Sequence, residues 1–220
     1  MAQVDRIYGG KASLRLVSLL DFLEDHFQGK PIRLISGYRS PEYNTALRRK
    51  GKLAAKTSLH MEAMAADIEI EGVPGRTLWD YARSLDCCGA GYYHSQGIHI
   101  DTGPKRSWDE TSTGVGLDLG GHNKLILLRT DQDIYLPGET IKFTLARITD
   151  YPIGVRLQEN SEGPCRIIKD RSESQSLDWK IPDNFKKWEK FELSVEFCQK
   201  PFPEMPDRIV SNPVLILPTK

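Results

Sequence analysis

The sequence predicts an α+β domain followed by an all-β domain of immunoglobulin-like sandwich type. Helical and strand patterns alternate up to about residue 110, whereas helical periodicity is absent after residue 123. The intervening segment is rich in Gly, Ser and Thr, a composition typical of a linker. We therefore expect an α+β domain over residues 1–110, a linker over 111–123 and a β-sandwich domain over 124–220.

The helices of the first domain are predicted by apolar spacing and by capping residues. Apolar residues from Leu16 to Phe27 recur at helical intervals, and Gly29 ends that helix. Ser40 followed by Pro41 predicts the start of a second helix, because a capping hydroxyl precedes a proline at the first helical position. A third helix is expected over residues 77–85.

Short apolar runs predict the strands of both domains. In the second domain, Phe191, Leu193, Val195 and Phe197 alternate with polar residues, a pattern typical of a half-buried strand. The first domain is expected to hold a small antiparallel sheet. Its predicted strands are 32–35, 65–70, 91–93 and 98–101, and those of the second domain are 124–129, 140–147, 166–169, 190–197 and 214–217.

Composition excludes some classes of function. The net charge is zero and neither half has the basic excess expected of a nucleic-acid-binding protein. No apolar run is long enough to span a membrane, and no signal peptide is visible at the start of the chain. Cys165 and Cys198 are expected to pair if the compartment is oxidising; otherwise all four cysteines are reduced, buried thiols.

Two segments contain residues suited to bind a metal. The first holds His60 and Asp67, and the second holds His99 and Asp101. Two imidazoles and one carboxylate form a three-ligand catalytic zinc set that leaves one position for water. His99 and Asp101 share one face of a strand, whereas His60 must reach the site from a loop.

A third segment, residues 35–44, holds Arg39 between a strand and a helix cap. An arginine there is suited to bind a carboxylate through two hydrogen bonds or to stabilise an oxyanion. Taken alone, the segment equally fits an arginine that pairs with an acidic neighbour on the surface.

Taken together, the segments resemble a known family. Ser-Gly-Tyr-Arg-Ser-Pro is followed by Ser-x-His-x(6)-Asp, Gly-x-Gly-Tyr-Tyr and His-x-Asp-x-Gly. This order resembles the bacterial D-Ala-D-Ala carboxypeptidase and murein endopeptidase family of zinc peptidases, over about residues 14–108. The resemblance implies that His60, Asp67 and His99 bind zinc and that Arg39 stabilises the reacting peptide.

The same resemblance implies the function. We expect a zinc peptidase that hydrolyses cross-links or stem peptides of bacterial peptidoglycan, in the periplasm or outside the cell if a signal peptide was removed. Two alternatives remain open, a D-Ala-D-Ala-type carboxypeptidase and a zinc-containing recognition module without hydrolysis. The second domain is expected to bind the cell wall or a protein partner.

Two positions depart from the family pattern. Ala63 stands where the family usually has glycine, and Gln96 stands where related carboxypeptidases have an acidic general base. Gln96 cannot accept a proton, so the first candidate for the base is Asp101, which alternatively orients a ligand histidine. Tyr92 and Gln96 are the candidate substrate-binding residues.

Overall fold

The computed structural model describes residues 12–52, 54–111, 121–157, 163–173, 175–184 and 189–217. The chain divides between residues 117 and 118 into two compact units. The division falls inside the expected linker, of which residues 112–120 lie outside the described part of the chain.

The first unit is an α+β structure with three helices and one sheet of five strands among its described residues. Ser13 and Ser40 cap the first two helices, each accepting a hydrogen bond from a backbone N–H three residues ahead. The helices are α1 (Leu14–His26), α2 (Pro41–Arg49) and α3 (Gly75–Ser84). The strands are β1 (Ile32–Ser36), β2 (Ala65–Ile70), β3 (Gly89–Tyr92), β4 (Ile98–Asp101) and β5 (Arg106–Asp109).

The strand order of this sheet is β1-β2-β4-β3-β5. The pairs β1–β2, β2–β4 and β3–β4 are antiparallel, whereas β5 lies parallel to β3. The sheet is therefore antiparallel, as predicted, except at one edge. Strand β5 was not predicted from the sequence.

The core of the first unit lies on one face of the sheet. Ile68 and Ile98 face each other across β2 and β4 and are completely buried, together with Leu16 and Leu78 of the helices. Because side chains alternate along a strand, Asp67 and His99 lie on the opposite face. Helices α1 and α3 thus cover the apolar face and leave the polar face for a site.

The second unit is all-β apart from one short 3₁₀ turn in the described residues. Its strands form three sheets, and Phe143, Ile153 and Val195 lie in one buried apolar cluster. The predicted strand over residues 190–197 is two strands in the structure, and four further strands were not predicted. The strands are β6 (Leu127–Thr130), β7 (Ile134–Tyr135), β8 (Thr140–Ala146), β9 (Ile153–Leu157), β10 (Arg166–Ile168), β11 (Ser176–Lys180), β12 (Glu189–Phe191), β13 (Ser194–Gln199), β14 (Arg208–Val210) and β15 (Val214–Ile216).

The second unit also contains a disulfide between Cys165 and Cys198, as expected for an oxidising compartment. In the first unit, Cys87 is an exposed free thiol and Cys88 a buried one. Among the described residues, every helix falls short of the length and apolar character needed to cross a membrane.

Gly91 allows the edge strand to pack against the sheet. A Cβ atom at residue 91 would lie 2.1 Å from Cζ2 of Trp108, inside the volume of the indole ring. We expect Gly91→Ala to lower the free energy of unfolding by about 1–3 kcal/mol, because the ring must move to admit the methyl group. Denaturant unfolding measures the change, with Ser107→Ala on the exposed part of β5 as the control. Equal stability of Gly91→Ala and the wild type would contradict this packing.

Candidate metal centre

His60, Asp67 and His99 come together on the polar face of the sheet, as the sequence predicts. Each residue offers one ligand atom, and these atoms lie within 4.8 Å of one another. Asp67 Oδ1 is 3.3 Å from His60 Nε2 and 3.1 Å from His99 Nδ1. The two ring nitrogens are 3.2 Å apart, and all three side chains are buried.

Strand pairing brings two of these residues together. Asp67 on β2 lies directly opposite His99 on β4. Directly opposed residues of an antiparallel pair extend from the same face of the sheet, which places the carboxylate beside the imidazole. The register of β2 and β4 therefore determines the position of this half of the centre.

His60 reaches the centre from a short 3₁₀ turn, Leu59–Glu62, outside the sheet. The Ser58 hydroxyl accepts a hydrogen bond from the backbone N–H of His60 and caps this turn. Ala63 ends the turn with φ 54° and ψ 30°, the left-handed conformation that glycine adopts most easily. The position where the family usually has glycine thus requires a left-handed backbone here.

Two hydrogen bonds join this turn to the loop that follows β1. The His60 ring donates from Nδ1 to the carbonyl oxygen of Gly37 at 2.7 Å. The backbone N–H of Arg39 donates to the carbonyl oxygen of His60 at 3.1 Å. The segment that carries Arg39 is therefore held against the segment that carries His60.

The hydrogen bonds around the two histidines determine which nitrogens face each other. A carbonyl oxygen only accepts, so Nδ1 of His60 carries the hydrogen and Nε2 presents a lone pair. His99 donates from Nε2 to Asp101 at 2.8 Å, which leaves a lone pair on Nδ1. Together with Asp67 Oδ1, three acceptor atoms converge on one buried point, an arrangement that a cation stabilises.

The pKa values respond to the same geometry. Burial opposes a charged imidazolium at His99, but hydrogen bonds to Asp101 and Asp67 outweigh it and raise the pKa to about 9. Burial lowers the pKa of His60. Burial opposes ionisation of Asp67, yet its close contacts with both histidines hold its pKa well below the usual range. Without a metal, a proton on His99 occupies the place of a cation, and metal binding must release that proton.

Arg39 and Tyr93 complete the surroundings of Asp67. Arg39 donates from Nη2 to Asp67 Oδ2 at 2.5 Å and from Nε to Ser36 Oγ at 2.9 Å. The Tyr93 hydroxyl donates to Asp67 Oδ1 at 2.8 Å. Burial and the charge of Asp67 raise the pKa of Tyr93, so its phenol remains a hydrogen-bond donor. The structure thus places the predicted Arg39 at the centre, paired with a ligand candidate.

Asp101 lies behind His99, away from the point where the three acceptors meet. Its Oδ2 accepts from His99 Nε2 and from Arg106 Nη2 at 2.5 Å, and its Oδ1 accepts from the backbone of Gly103 and from Arg106 Nη1. The side chain is completely buried. Burial opposes ionisation, but His99 and Arg106 hold its pKa well below the usual range.

This position does not support the predicted role of Asp101 as a general base. Asp101 shares a face with His99, as expected, but it binds the ring nitrogen on the far side from Asp67. The arrangement instead favours the alternative, in which the carboxylate orients a ligand histidine.

Tyr92 and Gln96 lie away from the centre, and their role as substrate-binding residues stays a prediction. Tyr92 stacks on Trp79 on the core side of the sheet, because it pairs with the buried Ile98 rather than with His99. Gln96 is exposed in the turn before β4 and lines a cavity of about 640 Å³. None of the three ligand candidates lines that cavity.

Tyr93 and Arg106 are site residues that the sequence interpretation did not select. The alternation of strand positions was a usable signal for Tyr93, which lies two residues after Gly91 and hence on the same face. Gly91 pairs with His99, but this register depends on the turn that joins β3 and β4. Arg106 belongs to β5, which the sequence analysis missed altogether.

Comparisons with known proteins find similarity over the part of the chain that holds this centre. Residues 11–108 match the sequence model of a family described as peptidoglycan L,D-endopeptidase MepK. Peptidoglycan L,D-endopeptidase MepK of Escherichia coli (strain K12) is 45% identical over 80 residues, which cover 36% of this chain and 44% of that protein. The probable peptidoglycan L,D-endopeptidase MepK of Haemophilus influenzae is 44% identical over 78 residues, which cover 35% and 42%.

The chain therefore spans less than half the length of these curated relatives. The family match falls in the first unit, and the comparisons confirm the resemblance to the murein endopeptidase-like zinc peptidases. The metal-ligand candidates at residues 60, 67 and 99 all lie inside the matched segment.

Replacing Asp101 with asparagine distinguishes a positioning role from a general-base role. If the carboxylate orients His99, we expect Asp101→Asn to weaken zinc binding by about 10- to 100-fold. Competition with a chelator of known affinity measures this change. Asp109→Asn is the control, because Asp109 pairs with the exposed His94 outside the centre. Zinc affinity equal to that of the wild type in Asp101→Asn would exclude the positioning role.

Proposed function

We propose that the first unit is a zinc-dependent peptidase that hydrolyses peptide cross-links or stem peptides of bacterial peptidoglycan. The observation that carries this proposal is the buried convergence of His60 Nε2, Asp67 Oδ1 and His99 Nδ1. The relatives are named peptidoglycan L,D-endopeptidases, and we extend that activity to this chain. Neither alternative, a carboxypeptidase or a module without hydrolysis, is favoured by these names.

The donor set supports zinc as the metal. Two imidazole nitrogens and one carboxylate oxygen are typical of catalytic zinc sites, which keep one further position open. His60, Asp67 and His99 would hold the ion, and the hydrogen bonds of the outer ring nitrogens to Gly37 and Asp101 favour the tautomers that such ligation requires. The chemistry that zinc supplies in such a site is polarisation of a carbonyl group and a water nucleophile near neutral pH.

Arg39 and Tyr93 are the proposed stabilisers of the reacting peptide. Both groups donate hydrogen bonds to Asp67, so both lie beside the ligand atoms. A guanidinium and a neutral phenol, held in a buried site, stabilise the negative charge that develops on the carbonyl oxygen during attack. The hydrogen bond from the backbone N–H of Arg39 to the carbonyl oxygen of His60 holds this arginine close to the metal-ligand candidates.

Asp101 and Arg106 are proposed to position His99. Arg106 binds both carboxylate oxygens of Asp101, and Asp101 accepts the Nε2 hydrogen of His99. A carboxylate in this place determines the tautomer and the ring orientation of a metal-binding histidine. The general base is therefore not assigned to Asp101.

The second unit is proposed to be an accessory domain of immunoglobulin-like type. In its described residues, three sheets surround one buried apolar cluster, which supports a sandwich over about residues 124–220. It would follow the zinc peptidase domain over 1–110 and the linker over 111–123. We propose that it binds the cell wall or a protein partner. The Cys165–Cys198 disulfide supports a periplasmic or extracellular location, because disulfides persist in oxidising compartments.

Removing one imidazole tests the metal-dependent activity. We expect His60→Ala to lose stoichiometric zinc and to leave purified cross-linked muropeptides intact, because two remaining ligands hold zinc poorly. Metal analysis and mass spectrometry of the digests measure both effects, with and without a chelator. His26→Ala is the control, since His26 stacks on Tyr81 outside the centre. Hydrolysis by His60→Ala at the wild-type rate would refute the proposal.

Replacing Arg39 with lysine tests the role of the guanidinium. We expect kcat to fall by about 100-fold, the effect of losing one donor to the developing oxyanion. Arg39 also pairs with the ligand candidate Asp67, so its replacement could reduce zinc binding. Zinc content is therefore measured in the same samples, and kcat is compared at equal zinc content. Arg33→Met serves as the control, since Arg33 forms an exposed ion pair with Glu69. An unchanged kcat in Arg39→Lys would contradict the assigned role.

A further inference from the structure

Trp108 lies in one row with the metal-ligand candidates across the sheet. Trp108 on β5 pairs with Gly91 on β3, Gly91 pairs with His99 on β4, and His99 pairs with Asp67 on β2. Neighbouring strands are about 4.8 Å apart, so the indole is only two strands from His99. Trp108 lies at the sheet edge and has the largest side chain in this row.

Glycine at position 91 lets the indole approach the centre. The Trp108 ring occupies the space above Gly91 that a side chain would fill. Its centroid lies 5.6 Å from that of His99 and 5.4 Å from that of Tyr93. Trp108 is only partly buried, so part of its surface is accessible beside the ligand candidates.

A second apolar side chain, that of Ile35, lies near the same row of residues, over Gly97. Ile35 is 50% exposed, and its Cδ1 would be 2.6 Å from a Cβ atom at Gly97. Gly97 directly precedes β4 and lies two residues before His99, so an added Cβ atom there would extend to the same side as His99. Trp108 and Ile35 thus each lie over a glycine, on different sides of His99.

We propose that Trp108 is a specificity-determining residue whose indole binds the aliphatic side chain of the substrate residue adjoining the scissile amide. The inference rests on the proposed peptidase function. An aromatic face binds methyl and methylene groups by apolar contact, at little entropic cost to the protein. Trp108 neighbours a ligand candidate directly, so its contact is a residue bonded to the scissile amide rather than a sugar several bonds away.

The test combines changes in the enzyme with changes in the substrate. Soluble cross-linked peptides without sugars are prepared with an aliphatic residue on both sides of the scissile amide, or with glycine on one side or the other. We expect Trp108→Ala to raise KM about 10-fold for the aliphatic peptide, with kcat within about 3-fold of the wild type. On one of the two glycine peptides the same variant should change KM less than about 2-fold, because the contact is already absent.

Two further measurements separate binding from a structural role. Trp108→Phe should restore most of the wild-type KM, and zinc content of both variants should match the wild type. Thermal unfolding identifies a temperature at which both variants remain folded, and the kinetics are measured there. Equal effects of Trp108→Ala on all three peptides, a loss confined to kcat, or a loss seen only with sugar-bearing muropeptides would overturn the inference. If the wild-type protein cleaves neither these peptides nor purified muropeptides, the proposed function itself fails; cleavage of muropeptides alone would overturn only the inference.

Discussion

Three hydrogen-bond acceptors that converge in a buried place are the constraint on which the first unit depends. His60, Asp67 and His99 present two lone pairs and a carboxylate oxygen to one another at 3.1–3.3 Å. Such a group is unstable without positive charge, which a proton on His99 or a metal ion supplies. The surrounding contacts hold the acceptors in place: Gly37 and Asp101 bind the outer ring nitrogens of the histidines.

The sheet makes room for this centre through its small residues. A Cβ atom added at Gly89 would collide with the side chain of Arg106 on β5, and one added at Gly91 would collide with Trp108. The edge strand can therefore extend its long side chains over the inner strand towards His99. Arg106 binds Asp101, and Trp108 forms an accessible aromatic surface beside His99. The parallel pairing of β3 and β5 thus links the fold directly to the chemistry proposed for the centre.

The sequence predicted the elements that depend on local signals. The helix that begins after Ser40 has the predicted capping hydroxyl, the apolar spacing from Leu16 to Phe27 predicted the first helix, and β2 has the predicted bounds. The ligand candidates were predicted because their residue types and order resemble a family. Alternation along β4 placed Asp101 on the face of His99, but it cannot tell which ring nitrogen a neighbour binds. Strand β5 was missed because its pairing depends on contacts outside its own four residues.

The central claim is that His60 Nε2, Asp67 Oδ1 and His99 Nδ1 bind one zinc ion in the first unit. The most direct measurement is an anomalous difference map from crystals grown with zinc, recorded on both sides of the zinc absorption edge. We expect a single peak in the first unit, within about 2.3 Å of all three atoms, with Asp101 still bound to His99 Nε2. A map without that peak, or with zinc bound through Nε2 of His99, would contradict it.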